Sequence, residues 1–293
     1  MQIATQTSPT GDYEFDGLPS GSWEVAPEKA SDFGGAVSPL DAVFVLQTVA
    51  GLRSMDTMQL LACDTTGDGQ LSALDAARIL QFSVGLLDHL PVADTCGSDW
   101  TFMPDPAPNQ AQSVINPAVG GGTCSAGMIM LPDLVDEASN QDFHAVLFGD
   151  CTGNWDATSG AAALRRSGAG AGTLRLGHPA SAGTRVRVPV FVRAAASYYA
   201  LDMQVAYDPT RLTPVGITLR GAATSAIAVF HVTQPGVLRV AMASGKPIGR
   251  SGEPLRIEFT LANGVTDAGS VQALAAIIDE LPVTITGAAA RQR

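Results

Sequence analysis

From residue 173 to 287, apolar and polar positions alternate in short runs spaced roughly ten residues apart. RVRVPVFV (185–192), LDMQVAY (201–207), VLRVAMA (237–243) and LRIEFTL (255–261) each place apolar side chains on one face of an extended chain, with Gly, Pro, Asp or Asn between them. A period of two predicts half-buried strands. Strands in this rhythm predict an antiparallel β-sandwich with one wet and one buried face per sheet. Nearer the N-terminus the period changes. SPLDAVFVLQTVAGL (38–52) and SALDAARILQFSVGL (72–86) align without gaps at an offset of 34, identical at eight of fifteen positions. Leu40, Val43, Leu46 and Ala50 in one copy, and Leu74, Ala77, Leu80 and Val84 in the other, fall at helical spacing with a Gly near each end. The prediction is a duplicated helix, each copy preceded by a polar loop; two copies are too few for a solenoid.

In GDYEFDGLPSGSWEVAP (11–27), Tyr13 and Phe15, then Trp23 and Val25, alternate with polar residues around a Leu-Pro-Ser-Gly turn, which predicts a β-hairpin. This run resembles the closing strands of a carboxypeptidase-regulatory, transthyretin-like Ig fold. That resemblance implies that earlier strands are missing or come from a neighbouring chain. Residues 92–145 are Pro- and Gly-rich and predict a long loop with one short helix. The expected division is a partial Ig-like segment (1–28), a helical loop module (29–157) with insertion 92–145, a small-residue linker (158–172) and a sandwich (173–293). The fold class is therefore multidomain and mainly β.

Charge sharpens this division. Residues 1–157 hold 21 of the 28 acidic residues and 3 of the 17 Lys and Arg, a net of −18, against +7 for the remainder. An acidic half of this kind attracts cations or basic surfaces and repels nucleic acid. No apolar stretch reaches the length of a membrane span, and the first residues carry neither a basic start nor an apolar run, consistent with a mature or truncated piece of a longer chain.

All four cysteines lie in the acidic half, without C-x-x-C spacing. The even count favours two disulfides and an oxidising, secreted or cell-surface setting over zinc. Three pairings are open. The favoured one has Cys96–Cys124 closing the insertion and Cys63–Cys151 tying two turn segments together; four buried thiols are the alternative.

The strongest chemical signal is the run from Asp64 to Asp75. Side-chain oxygens at Asp64, Thr66, Asp68, Ser72 and Asp75, with the Gln70 backbone carbonyl, occupy positions 1, 3, 5, 9, 12 and 7 of a twelve-residue arc, and Gly69 permits its reversal. Hard oxygen donors on such an arc suit Ca2+ better than Mg2+. An acidic helix-capping turn is the structural alternative. A loop of this kind, ending in Asp, running into one helix and duplicated, resembles a dockerin, a small non-catalytic calcium module that docks onto cohesin domains. In that family loop positions 10 and 11 help choose the partner, which here implies Pro39, Leu40, Ala73 and Leu74 as partner-binding residues.

The first copy departs from the pattern. Counting back from Asp41 leaves Ser38 at position 9 but Gly34 and Ala30 where ligands belong. DCTGNW (150–155) repeats the opening of the good loop, DTTGDG, and then stops. Asp150, Thr152 and Asn154 joined to Asp41 and Ser38 would make a composite second site. A capping turn with Trp155 as a core plug is the equal alternative.

The order of Val-Pro-Val (188–190), Leu-Asp-Met-Gln-Val-Ala-Tyr-Asp-Pro-Thr-Arg-Leu (201–212), Gly-Val-Leu-Arg-Val-Ala (236–241) and Pro-Leu-Arg-Ile-Glu-Phe (254–259) resembles a cohesin, a jelly-roll sandwich, with any Ig-like sandwich as the alternative. The two resemblances put a plug and a socket of opposite charge in one chain. They imply an extracellular scaffold or adhesion protein that docks onto a protein partner, with an intramolecular clasp and head-to-tail self-assembly into filaments both open. No catalytic motif is present: His89, His144, His178 and His231 are scattered, and no G-x-S-x-G occurs. The chain is read as a non-enzyme. The alternative function is a carbohydrate-binding accessory module of a secreted polysaccharide-degrading system, with Tyr198, Tyr199 and Phe230 as its candidate aromatics.

Overall fold

A computed structural model describes residues 2–108, 112–156 and 170–286. The repeated Ser-x-x-Asp begins two eleven-residue helices, α1 (Pro39–Val49) and α3 (Ala73–Ser83). Ser38 and Ser72 cap them, and Asp41 and Asp75 return the bond in full capping boxes, the usual way to satisfy the free N–H groups of a first turn. Two shorter helices, α2 (Thr57–Cys63) and α4 (Pro91–Cys96), flank α3.

The segment 92–145 is not a long loop. Besides the end of α4 it carries β2 (Trp100–Pro104), β3 (Ser113–Ile115), the hairpin β4 (Ala118–Gly120) and β5 (Thr123–Ser125), β6 (Met128–Leu134) and most of β7 (Phe143–Leu147). Strands of three residues show too little alternation to stand out among Pro and Gly. Nor do Tyr13 and Trp23 share a hairpin. Among the described N-terminal residues only β1 (Gly21–Val25) is a strand, and it pairs with β6, which also pairs with β3. The insertion of the same chain thus supplies the pairing strands expected from elsewhere. Tyr13 is tied instead to the Gln141 carbonyl through its hydroxyl.

The sandwich holds two antiparallel layers. One sheet contains β8 (Gly172–Leu176), β9 (Ala180–Ala182), β10 (Arg185–Ala194), β12 (Leu212–Leu219) and β15 (Ser251–Leu261), with β18 (Thr284–Ile285) joining β8 in parallel. The other is ordered β13 (Ile227–Gln234), β14 (Val237–Ala243), β11 (Ala200–Tyr207), β16 (Val271–Ile278) and β17 (Leu281–Pro282). Val186, Val188, Val190, Leu201, Met203, Val205, Leu238, Val240, Ile257 and Phe259 meet in the core between them. The linker expected at 158–172 falls largely outside the described residues; its last residue, Gly172, opens β8.

A third layer lies on this sandwich. Along β14, Leu238, Val240 and Met242 point into the core, while the outer positions read Arg239, Ala241, Ala243. Ala241 and Ala243, with Ala200 on β11 and Ile227 and Val229 on β13, share a second apolar cluster with Ala42, Val43 and Val45 of α1 and Ala76, Ile79 and Leu80 of α3. Small side chains let helix backbones come close to the sheet: a Cβ placed on Gly245 would stand 3.5 Å from Leu46. Both faces of the sheet are therefore buried where the helices lie, so the expectation of one wet face fails there. No helix among the described residues is long and apolar enough to cross a membrane.

Candidate functional site

Two loops place aspartates against the starts of α1 and α3. In the first, Asp64 Oδ1 accepts the backbone N–H groups of Gly67 (2.9 Å) and Asp68 (3.2 Å) and the Thr66 hydroxyl (3.3 Å), and Oδ2 accepts Gly69 N–H (2.7 Å). Asp75 Oδ1 accepts Thr66 N–H (2.9 Å), and its Oδ2 accepts the backbone N–H (2.8 Å) and hydroxyl (3.0 Å) of Ser72. Asp68 and Gln70 sit at the exposed rim, where Gln70 N–H donates to Asp68 Oδ1 at 2.8 Å. The β4–β5 hairpin covers this loop, with Gly121 N–H donating to the Asp68 carbonyl. Gly69 has φ +89°, and a Cβ there would stand 3.3 Å from the Gly120 backbone. A glycine is required on both counts.

The second loop repeats these bonds with residues from two distant stretches. Asp150 Oδ1 accepts Gly153 N–H (2.8 Å), Asn154 N–H (3.1 Å) and the Thr152 hydroxyl (3.2 Å), and Oδ2 accepts Trp155 N–H (3.0 Å). Asp41 Oδ1 accepts Thr152 N–H (2.9 Å), and its Oδ2 accepts the Ser38 N–H (2.7 Å) and hydroxyl (3.0 Å). Asp64, Thr66, Asp68, Ser72 and Asp75 correspond one for one to Asp150, Thr152, Asn154, Ser38 and Asp41. All five second-site residues named from sequence are brought together.

Both disulfides frame the pair of loops. Cys63–Cys151 joins the residue before Asp64 to the residue after Asp150, and Cys96–Cys124 anchors the covering hairpin to α4. Trp155 is only partly a core plug: it meets Trp100 edge-on at 4.8 Å, and the Lys29 ammonium lies over both rings.

The electrostatics are one-sided. Asp41, Asp64, Asp75 and Asp150 are at most 7% exposed, and among the described residues none of the four has an ion-pair partner. Burial pushes the Asp64 carboxyl up against the pull of its three N–H donors. Burial, with Asp150 and Glu280 nearby, holds Asp41 well above the usual carboxylate range. Among the described residues Asn154 Oδ1 is buried and has no hydrogen-bond partner. Anionic and amide oxygens gathered without a cation fit a hard divalent ion. Among the described residues no three His, Cys, Asp or Glu side chains converge tightly enough to hold a metal by themselves. The fit therefore depends on Thr, Asn and backbone oxygens as well.

The residues named for docking divide. Pro39 is buried and Leu40 half-buried in a small recess against Ala200, Leu201, Asp202 and Ile277 of the sandwich. Ala73 and Leu74 are exposed. Sequence reasoning missed Glu280, in the β16–β17 turn, whose Oε1 accepts Asn154 Nδ2–H (2.7 Å) and the Ser38 hydroxyl (3.0 Å). Its neighbour Asp279 accepts Tyr199 and Ala200 N–H at 3.0 and 2.7 Å. Both turn residues have positive φ, 45° and 63°, which is uncommon for Glu, and nothing in the sequence around them signals this turn or its contacts. The aromatics weighed for sugar binding form no exposed platform: Tyr198 is 3% exposed, and Tyr199 and Phe230 pack against the apolar clusters.

The Cohesin domain family model matches residues 177–289, which is the sandwich from the end of β8 onward. Similar solved structures include a cohesin module of a Clostridium perfringens family 33 glycoside hydrolase (14% identity, 41% of this chain and 99% of that one, TM-score 0.31). Others are the sixth cohesin of Acetivibrio cellulolyticus scaffoldin B, solved with a Cel5 dockerin mutant (18%, 40% and 93%, TM-score 0.32), and a non-cellulosomal cohesin from the archaeon Archaeoglobus fulgidus (15%, 40% and 86%, TM-score 0.30). No curated protein matches the chain.

Proposed function

We propose that this chain is a non-catalytic, extracellular, calcium-dependent docking protein in which a dockerin-like module is clasped onto the cohesin domain of the same chain. One observation carries the reading: α1 and α3 lie on the outer face of the β13–β14–β11–β16 sheet and share an apolar core with it. Cohesin domains are docking modules without catalytic chemistry, and a module carrying two symmetry-related acidic loops is the kind of surface they receive. Filaments built through this sheet face would first have to displace the chain's own helices, so the clasp is the better reading of the two. Two disulfides support an oxidising compartment.

The proposed ligands are Asp64, Thr66, Asp68, Gln70, Ser72 and Asp75 for one calcium ion, and Asp150, Thr152, Asn154, Asp41 and Ser38 for another. Calcium, when bound, supplies the positive charge that buried aspartates otherwise lack and fixes both loop–helix corners as one surface. Ala73 and Leu74 remain free for a further protein partner. Titration calorimetry on the chelator-stripped chain should count two calcium ions, one after Asp150→Ala, with the chain monomeric in sedimentation throughout. A chain that takes up no calcium, or whose count ignores both Asp64→Ala and Asp150→Ala, rules the reading out.

A further inference from the structure

We propose that Glu280 of the sandwich is a positioning residue for the second loop, orienting the Asn154 amide and so coupling ion occupancy there to the seating of the helices on the sheet. This rests on the calcium reading above and goes beyond it, because the residue belongs to the other domain.

The two loops differ at one position in a way that calls for an outside partner. Where the first has Asp68, the second has Asn154. Either oxygen of a carboxylate can ligate, so Asp68 works in both orientations. An amide has one oxygen and one NH2, and only one orientation presents the oxygen to an ion. A carboxylate accepts and cannot donate, so Glu280 Oε1, 2.7 Å from Asn154 Nδ2, fixes the NH2 on its own side. Oδ1 is left on the other side of the amide, buried and without a partner among the described residues. That orphan atom points to a missing ligand, since a buried amide oxygen without a bond is costly. Glu280 Oε1 also takes the Ser38 hydroxyl, which lies 3.0 Å from Asp41 Oδ2 as well, so one proton is placed between two carboxylates. Ser72, its counterpart, bonds only its own capping partners among the described residues.

Glu280 is 126 residues from Asn154 and 242 from Ser38 in sequence, and it reaches them only while the helices are seated. By linkage, whatever factor the seated sandwich adds to ion affinity, a bound ion returns to seating. Partners that orient ligands are typically worth 10–100-fold in metal affinity.

The test uses the full chain, calcium calorimetry and amide hydrogen exchange. Glu280→Ala should weaken the second calcium site about 10–100-fold and leave the first unchanged. Glu280→Gln, which keeps an acceptor, should fall between Glu280→Ala and the wild type. In the wild type calcium should slow exchange at 38–41 and 199–202, and in Glu280→Ala only at 64–75. Adding Asn154→Asp to Glu280→Ala should restore the second site, because a carboxylate needs no orientation. If Glu280→Ala leaves both sites unchanged, lowers both equally, or is not rescued by Asn154→Asp, the positioning role is wrong while the calcium reading stands. A wild type that binds no calcium overturns both.

Discussion

The two loops make the same hydrogen bonds from differently arranged chain. In one, Asp64 and Asp75 lie eleven residues apart and share a continuous arc. In the other, Asp150 and Asp41 are separated by most of the helical module, yet the same seven donors reach the same two carboxylates. Spatial order is what such a site needs. A continuous loop obtains it from a short tether and a glycine at the reversal. The composite loop obtains it from a disulfide, a capping box and a contact with the sandwich. The continuous loop should therefore tolerate damage to distant structure, and the composite loop should not.

The harshest way to separate them is to remove the bridge. Cys63→Ala with Cys151→Ala frees a closure spanning 88 residues and should cost about 2–5 kcal/mol in urea denaturation. Thr152–Trp155 amides should then lose exchange protection while those of 66–69 keep theirs. Equal loss in both loops would break the comparison.

A milder disturbance acts through the sheet. Ala243 is fully buried between the sandwich and the helices, so Ala243→Leu should overpack that seam by about 1–3 kcal/mol. The helical module should then melt apart from the sandwich in calorimetry, and the contacts of Glu280 should go with it. A single unchanged transition would show that seating does not depend on this face.

The smallest effect concerns the scaffold behind Asp150. Asp99 accepts Phe148 N–H through its carbonyl and Ser31 N–H through its carboxylate, and His89 Nδ1 lies 2.8 Å from its other carboxylate oxygen. The Asp99 hydrogen bond raises the His89 pKa above 6.5. A raised imidazole pKa stabilises the fold below the unfolded value, and that gain is lost as pH rises through the folded one. His89 is half exposed, so solvent screens the pair and the gain is slight. An NMR titration of His89 should give a midpoint above 6.5 that Asp99→Asn lowers.

Local patterns carried much of this molecule. Alternation in the four long runs marked β10, β11, β14 and β15, and the repeated Ser-x-x-Asp marked both helix starts and their capping boxes. The echo of DTTGDG in DCTGNW suggested Asp150 beside Asp41 but left a capping turn as the equal alternative, and it was the folded chain that brought Thr152 N–H to Asp41. Three strands of the insertion were hidden by their three-residue length and β6 by the Pro132 inside it, and β1 found its partner across more than a hundred residues. The helical seat on the sheet was written in Ala200, Ala241 and Ala243, yet alanine at an outward strand position reads equally as exposed or covered.

Residue order alone determined which side chains could supply oxygens around two bends, where the two repeated helices begin and where the four long sandwich strands run, since those preferences act within a few neighbours along the chain. Folding in three dimensions decided that the second bend would close at all, that the helices would cover one sheet of the sandwich, and that Glu280 would stand beside Asn154. Each of these is a contact between residues whose separation in sequence leaves no local trace, held by burial and by bonds that exist only once the layers have met.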